Sequence, residues 1–229
     1  MNIALLLAAG SGTRLESETP KQFIKVGNKT IIEHTLNVFD QHPLIDEIAI
    51  VMNERFIDKM ETIVKNGGYH KVKKILQGGA ERYDSAWAAI NAYQEYPDAN
   101  LLIHDAVRPL IDAKIITEVI RKLENYNAVT VANPTTDTVY QVENNHIQYI
   151  PNRKLLMRAQ TPQVFKQHII QKAYQLAFDN KDFTATDDCG VLVQYFPNEP
   201  IFVIQGSEKN FKITHPIDVC IFEKMIQKL

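Results

Sequence analysis

A chain of 229 residues with 45% hydrophobic and 23% charged residues has an ordinary globular composition, and it is long enough to bury roughly 70–75% of its unfolded surface. Its formal net charge of -2 offers no basic field for wrapping nucleic acid or coating a membrane, and no apolar run approaches the roughly 18 residues that a membrane helix needs. The two cysteines, Cys189 and Cys220, have neither CxxC spacing nor the company needed for a disulfide framework or zinc site, so they read as reduced thiols in a cytosolic protein whose metal, if any, is held by oxygen.

The N-terminus lacks a basic leader segment, and the chain is expected to start as mature sequence with a strand at residues 3–8. Helical periodicity follows at 31–39, then strand-like runs at 48–51, 73–76 and 101–103, a helix at 115–123, and strands at 128–131 and 201–204. This alternation predicts an α/β fold with a mainly parallel sheet covered on both faces. No linker, repeat or low-complexity tract interrupts it, which predicts one domain over 1–229. The alternation falters at about 136–160, where strand, Asn144-Asn145 turn and strand read as a polar hairpin arm added to the main sheet, with Pro151 demoting the second strand to an edge.

The opening strand breaks into Gly10-Ser11-Gly12-Thr13-Arg14, and Pro20-Lys21-Gln22 follows. Leu15 stands where the third glycine of a dinucleotide-binding GxGxxG belongs, and no Gly-Lys-Ser/Thr follows at P-loop spacing. What remains is two glycines that let backbone N–H groups approach an anion, with Arg14 and Lys21 as fixed positive charge, a set suited to a triphosphate. Alone, the stretch also reads as a surface turn with two solvated cations.

Residues 77–85, QGGAERYDS, follow a strand; Gly78-Gly79 can bring backbone close to a base or ribose, and Ser85 offers a hydroxyl from the first turn of a helix. The same Gly-Gly pair also reads as turn punctuation. Residues 101–111, LLIHDAVRPLI, put Asp105 at the C-terminal edge of the sheet as a surface carboxylate, where ligands of open α/β folds bind and where Mg²⁺ can be held together with phosphates. A helix N-cap is its other reading. Arg108 can fork onto a phosphate, and His104 reads as a packed strand-end histidine. Asp187 and Asp188 read as an acidic pair at a helix N-terminus, and Trp87, Tyr93 and Tyr96 as packing groups.

In chain order, LLLAAGSGTRL, TPKQF, GGAERYDS, HDAVRPL, PTTDT, RAQTPQVF, TDDC and NFKIT resemble the motif series of the cytidylyltransferases that activate methylerythritol phosphate or ribitol phosphate. The resemblance runs from residue 3 to about 218. Its first motif is shared with sugar-1-phosphate nucleotidyltransferases, and HDAVRP and TPQVF separate the two. It implies a Rossmann-like, mainly parallel sheet of the nucleotide-diphospho-sugar transferase type, with CTP across its switch point and an extended β-hairpin arm. By the same resemblance, Ala8, Ala9 and Gly10 contact the nucleotide through backbone, and Gly79, Ala80 and Ser85 recognise cytosine and ribose. Arg14 and Lys21 hold its phosphates, Lys212 grips the α-phosphate, and these three are the catalytic cations. Asp105 ligates Mg²⁺ and, with Arg108, Thr138, Arg153 and Thr161, meets the polyol phosphate. The resemblance further implies a homodimer in which the arm of one subunit completes the other's site.

Two motifs depart from the forms usual in methylerythritol enzymes: Ile150-Pro151-Asn152-Arg153, and Asp187-Asp188-Cys189. Both lean toward D-ribitol 5-phosphate as acceptor, whereas Ala8-Ala9-Gly10 leans toward 2-C-methyl-D-erythritol 4-phosphate; on balance the expected acceptor is D-ribitol 5-phosphate, giving CDP-ribitol, with methylerythritol phosphate as the alternative. Competing readings are a UTP- or dTTP-dependent sugar-1-phosphate enzyme and an NAD(H)-binding Rossmann protein, the latter opposed by the absent third glycine. An acceptor phosphate is ionised at pH 7 and needs no general base. Anion repulsion is what opposes attack on the α-phosphorus, so cations and Mg²⁺ are the expected catalyst.

Overall fold

Strands that are apolar on every residue must be covered on both faces, and the runs IALLL and IAIVM are of this kind. In the computed structural model, which describes residues 1–10, 19–180 and 183–227, they become β1 (Asn2–Leu7) and β4 (Glu47–Met52). Between them lie the two-residue strands β2 (Lys25–Val26) and β3 (Lys29–Thr30) and helix α1 (Ile31–Gln41). Helix α2 (Ile57–Gly67), strand β5 (Val72–Gln77), helix α3 (Arg82–Asn91), strand β6 (Asn100–Asp105), helix α4 (Ala113–Lys122) and strand β7 (Ala128–Pro134) follow. The arm contributes β8 (Gln141–Glu143) and β9 (His146–Tyr149); β10 (Met157–Lys166), α5 (Gln167–Phe178), α6 (Asp188–Tyr195), β11 (Ile201–Gln205) and α7 (Pro216–Ile226) complete the chain.

Among the described residues seven strands form one sheet in the order β11-β7-β10-β6-β1-β4-β5, and every neighbouring pair is parallel except those made by β10. Alternate residues of each strand feed opposite layers. Ala4, Leu6, Ile48, Ile50 and Leu102 pack with Leu36 and Phe39 of α1 and Ile116 of α4. Ile3, Leu5, Val51, Leu101 and Ile103 pack with Ala86 and Ile90 of α3 and with Ile170 and Tyr174 of α5. From β1 the chain steps to β4 and β5 on one side, then crosses back to β6 on the other. That reversal opens a crevice at the C-terminal ends of β1 and β6, where Leu7 and Asp105 are register partners.

Each strand expected from the sequence is present, and two expectations need correction. The arm does not extend the main sheet: β8 and β9 form a separate two-stranded ribbon, turned by Asn144 and Asn145 at φ 49° and 62°. Nor is it polar, since Val142, Ile147, Tyr149 and Ile150 stand more than half exposed. Beyond it, residues 157–166 form β10 in the middle of the main sheet, a strand the periodicity did not reveal. Pro162 lacks a ladder donor and would normally demote such a run; it falls within the register shift between Ala159 and Gln163, where no ladder bond is required of it.

Candidate active site

Chain leaving β1 forms one wall of the crevice. The Ala8 N–H donates to the Val51 carbonyl at 2.8 Å, and the buried Gln22 side chain donates to the Ala8 carbonyl at 2.8 Å, so Gln22 pins the start of the glycine loop. Among the described residues, no atom outside its chain neighbours lies within 4 Å of where a Gly10 Cβ would stand, so this glycine keeps its backbone uncovered there. The wall opposite has different glycines. A Cβ on Gly78 would meet the Ala9 Cβ at 2.5 Å, and one on Gly79 would meet the Asp84 Cβ at 2.2 Å, so both let α3 start close against the loop. The Ser85 hydroxyl is buried, accepting from the Gly79 N–H at 3.2 Å and donating to the Glu81 carbonyl at 3.3 Å; it shapes this loop.

At the floor stands Asp105, which corrects the expectation of a surface carboxylate: it is 6% exposed. It is not a helix cap either, because α4 is capped by Asp112. Its Oδ2 lies 3.1 Å from Arg108 Nε and 3.2 Å from Lys212 Nζ, and its Oδ1 lies 3.7 Å from Arg82 Nε. Burial alone would raise its pKa, but Lys212, Arg82 and Arg108 outweigh that and hold it well below the carboxylate range. Arg82 reaches on to Asp188, Nη2 to Oδ2 2.7 Å, where Asp188 is fully buried and also accepts the Tyr174 hydroxyl at 2.6 Å.

His104, the residue before, is packed as expected, with its ring fully buried against Phe39. Burial lowers its pKa to about 4. The neutral ring carries its proton on Nε2, which faces the Arg108 carbonyl at 3.2 Å; Nδ1 therefore accepts from the Thr161 hydroxyl at 3.0 Å. That hydroxyl in turn accepts the Asp105 N–H at 3.1 Å.

The crevice is a cavity of about 380 Å³. Of the residues singled out from sequence, Ala8, Ala9, Gly10 and Lys21 line one side, and Gly79, Ala80 and Ser85 the other. Asp105 and Lys212 close the floor. Arg108 lies just behind it, with Nη1 donating to the Asn210 carbonyl at 2.9 Å. Thr161 is buried behind Asp105 rather than on the cavity wall. Thr138 and Arg153 are exposed on the arm, Arg153 donating to the Thr136 carbonyl at 2.8 Å, and neither lines the cavity. Arg14 lies outside the described residues. Asp187 caps α6, accepting from the Gly190 N–H at 2.8 Å; Trp87 stacks on Tyr174 and Tyr93 is in the core, whereas Tyr96 is 47% exposed.

Sequence reasoning missed Gln22, Asn53, Arg82 and Thr214, which also line the cavity. Gln22, Arg82 and Thr214 sit inside motifs that were read, but all three look like solvated polar residues until their partners are known.

The family described as IspD, 2-C-methyl-D-erythritol 4-phosphate cytidylyltransferase, matches residues 2–228. The chain belongs to this family. A 2-C-methyl-D-erythritol 4-phosphate cytidylyltransferase of Thermobifida fusca is 41% identical, over 98% of this chain and 92% of its own. The bifunctional ribulose 5-phosphate reductase/CDP-ribitol pyrophosphorylase Bcs1 of Haemophilus influenzae is 43% identical over 99% of this chain, which spans only 48% of that protein. In three dimensions the cytidylyltransferase fold matches a 4-diphosphocytidyl-2C-methyl-D-erythritol synthase from Anaerococcus prevotii with TM-score 0.86 at 28% identity, covering 99% of this chain and 96% of that one. No helix among the described residues is long and apolar enough to cross a membrane.

Proposed function

We propose that this cytidylyltransferase transfers the cytidylyl group of CTP to 2-C-methyl-D-erythritol 4-phosphate and releases pyrophosphate. The observation that carries the reading is the cavity at the β1/β6 switch point, where bare Gly10 backbone, Lys21, Lys212 and Asp105 converge. A phosphate oxygen of the acceptor attacks the α-phosphorus of CTP, and the bond to the β-phosphate breaks. Lys21 and Lys212 lower the repulsion between the anions and stabilise the charge that develops on the leaving pyrophosphate, and the loops at 8–10 and 79–80 hold the nucleoside. The family match and the Thermobifida relative support methylerythritol phosphate over the ribitol phosphate favoured by the sequence motifs. The Haemophilus relative and the Ile-Pro-Asn-Arg motif keep D-ribitol 5-phosphate as the second reading.

Among the described residues no group of three carboxylates, histidines or cysteines could hold a metal by itself. Magnesium bound mainly by substrate phosphates needs only one or two carboxylates, and Asp105 fits that role through Oδ1, from which Arg82 Nε stands back at 3.7 Å. Bound there with the triphosphate, the ion would supply charge neutralisation at the α-phosphate. The arm's exposed apolar side chains support a further part of the proposal, a homodimer in which Thr138 and Arg153 reach the acceptor in the partner's site.

Pyrophosphate release with CTP, measured against 2-C-methyl-D-erythritol 4-phosphate and D-ribitol 5-phosphate in parallel, tests the function. A higher kcat/KM for methylerythritol phosphate is expected. A preference for ribitol phosphate would turn the assignment to the second reading, and turnover only with UTP or dTTP and a sugar 1-phosphate would overturn both.

A further inference from the structure

Arg82, one of the cations lining the cavity, is held by a carboxylate that plays no part in the mechanism above. Asp188 is fully buried, and Arg82 is the cation paired with it among the described residues. Nothing about Asp188 is loose: Tyr174 donates to its Oδ1 at 2.6 Å, and its own N–H donates to Gln163 Oε1 at 2.9 Å. Gln163 also donates to Asp187 Oδ2 at 2.7 Å. Three elements, α5, β10 and α6, thus fix one oxygen pair in place to receive a guanidinium from α3.

The distances decide what that does. Arg82 sits 2.7 Å from Asp188 and 3.7 Å from Asp105, so the buried carboxylate wins the guanidinium. Asp105 Oδ2 is already taken by Arg108 and Lys212, so Oδ1 is the oxygen left for the cavity. A guanidinium that closed on Asp105 with both prongs would occupy it.

We infer that Asp188, acting through Arg82, is a positioning residue that draws the guanidinium back and keeps Asp105 Oδ1 open to the cavity. The inference rests on the cytidylyl-transfer reading for what Oδ1 is used for. Replacing Asp188 by its neutral isostere leaves Asp105 as the anion nearest Arg82, and the pair closes. Removing the charge of Arg82 as well leaves no guanidinium to close on Asp105 and reopens Oδ1.

The test compares wild type, Asp188→Asn and the double variant Arg82→Gln/Asp188→Asn, each first melted to confirm folding. Mn²⁺ affinity in the presence of CTP is followed by electron paramagnetic resonance, and kcat by pyrophosphate release. Supporting partners of a ligand group typically alter affinity or activity by about 10–100-fold, and a loss of that size is expected for Asp188→Asn in both readouts. The double variant is expected to return to within about tenfold of wild type. A purely structural ion pair would move neither readout in the folded single variant, and that result overturns the inference. So does a folded double variant as weak as the single one, which would make Arg82 itself a substrate contact. Should Asp188→Asn fail to fold, a folded double variant weaker than wild type by more than about tenfold overturns the inference. Wild-type turnover, measured alongside, tests the cytidylyl reading separately, because Mn²⁺ affinity reports on Asp105 whichever acceptor is used.

Discussion

Thr161→Val replaces the hydroxyl that links His104 to Asp105 by a methyl group of nearly the same size. The exchange leaves two buried groups without partners: the Asp105 N–H, now lacking its 3.1 Å acceptor, and His104 Nδ1, lacking its 3.0 Å donor. An orphaned buried polar group costs about 1–3 kcal/mol, so two at about 1.5 kcal/mol each cost about 3 kcal/mol. The added methyl group returns about 0.8 kcal/mol of apolar burial. A net loss of about 2–3 kcal/mol lowers the melting temperature of a chain this size by roughly 4–12 °C. Thr161→Ser keeps the hydroxyl and loses only the methyl contact, so it should fall less. Thermal unfolding by circular dichroism, with acceptor KM measured on the same preparations, separates two roles for Thr161. A Thr161→Val protein that melts no lower than Thr161→Ser while its acceptor KM rises would refute the relay and return Thr161 to direct acceptor binding.

Acid should destabilise the fold in a window set by His104. Its folded pKa of about 4 lies below the ordinary 6.5, so the unfolded chain binds more protons between those values; the stability is present in full above pH 6.5 and about 3 kcal/mol is lost as pH falls toward 4. Urea titrations across that range should show the slope, and a His104→Gln variant should flatten it. Lys21→Ala and Lys212→Ala should each lower kcat by about 10²–10³ with the fold intact, because each loses charge aimed at the transition state; a change in KM alone would mean that the two lysines bind substrate and transition state equally. Asp105→Asn should abolish Mg²⁺-dependent turnover and also lower the melting temperature, since it strips the shared counter-ion from Arg82, Arg108 and Lys212. Mixing Lys21→Ala with Arg153→Ala subunits under exchange should restore about a quarter of wild-type activity if the arm works in trans, because half the dimers are mixed and one site in each is whole. No recovery, with exchange shown by mass spectrometry, would place Arg153 in its own subunit's site.

Much of this protein was legible from local pattern. Strands β1, β4, β6 and β7 announce themselves because strands of a parallel sheet buried on both faces are apolar throughout, and the Asn144-Asn145 turn because two left-handed residues suit a tight hairpin. The ordered motifs also named most of the cavity, from Ala8 to Lys212. What stayed hidden depends on partners distant in sequence. Strand β10 was masked by Pro162, whose tolerance rests on a bulge that exists only once β7 lies beside it. Asp105 looked like a surface group until three cations, brought in from α3, the loop after β6 and the segment before α7, enclosed it. Arg82 and Asp188 are 106 residues apart, and neither motif hints at the other. A local pattern specifies which face of an element is buried, because burial is set by period and side-chain type; which charges share that interior is set by the crossings of the chain, and only the folded sheet makes them neighbours.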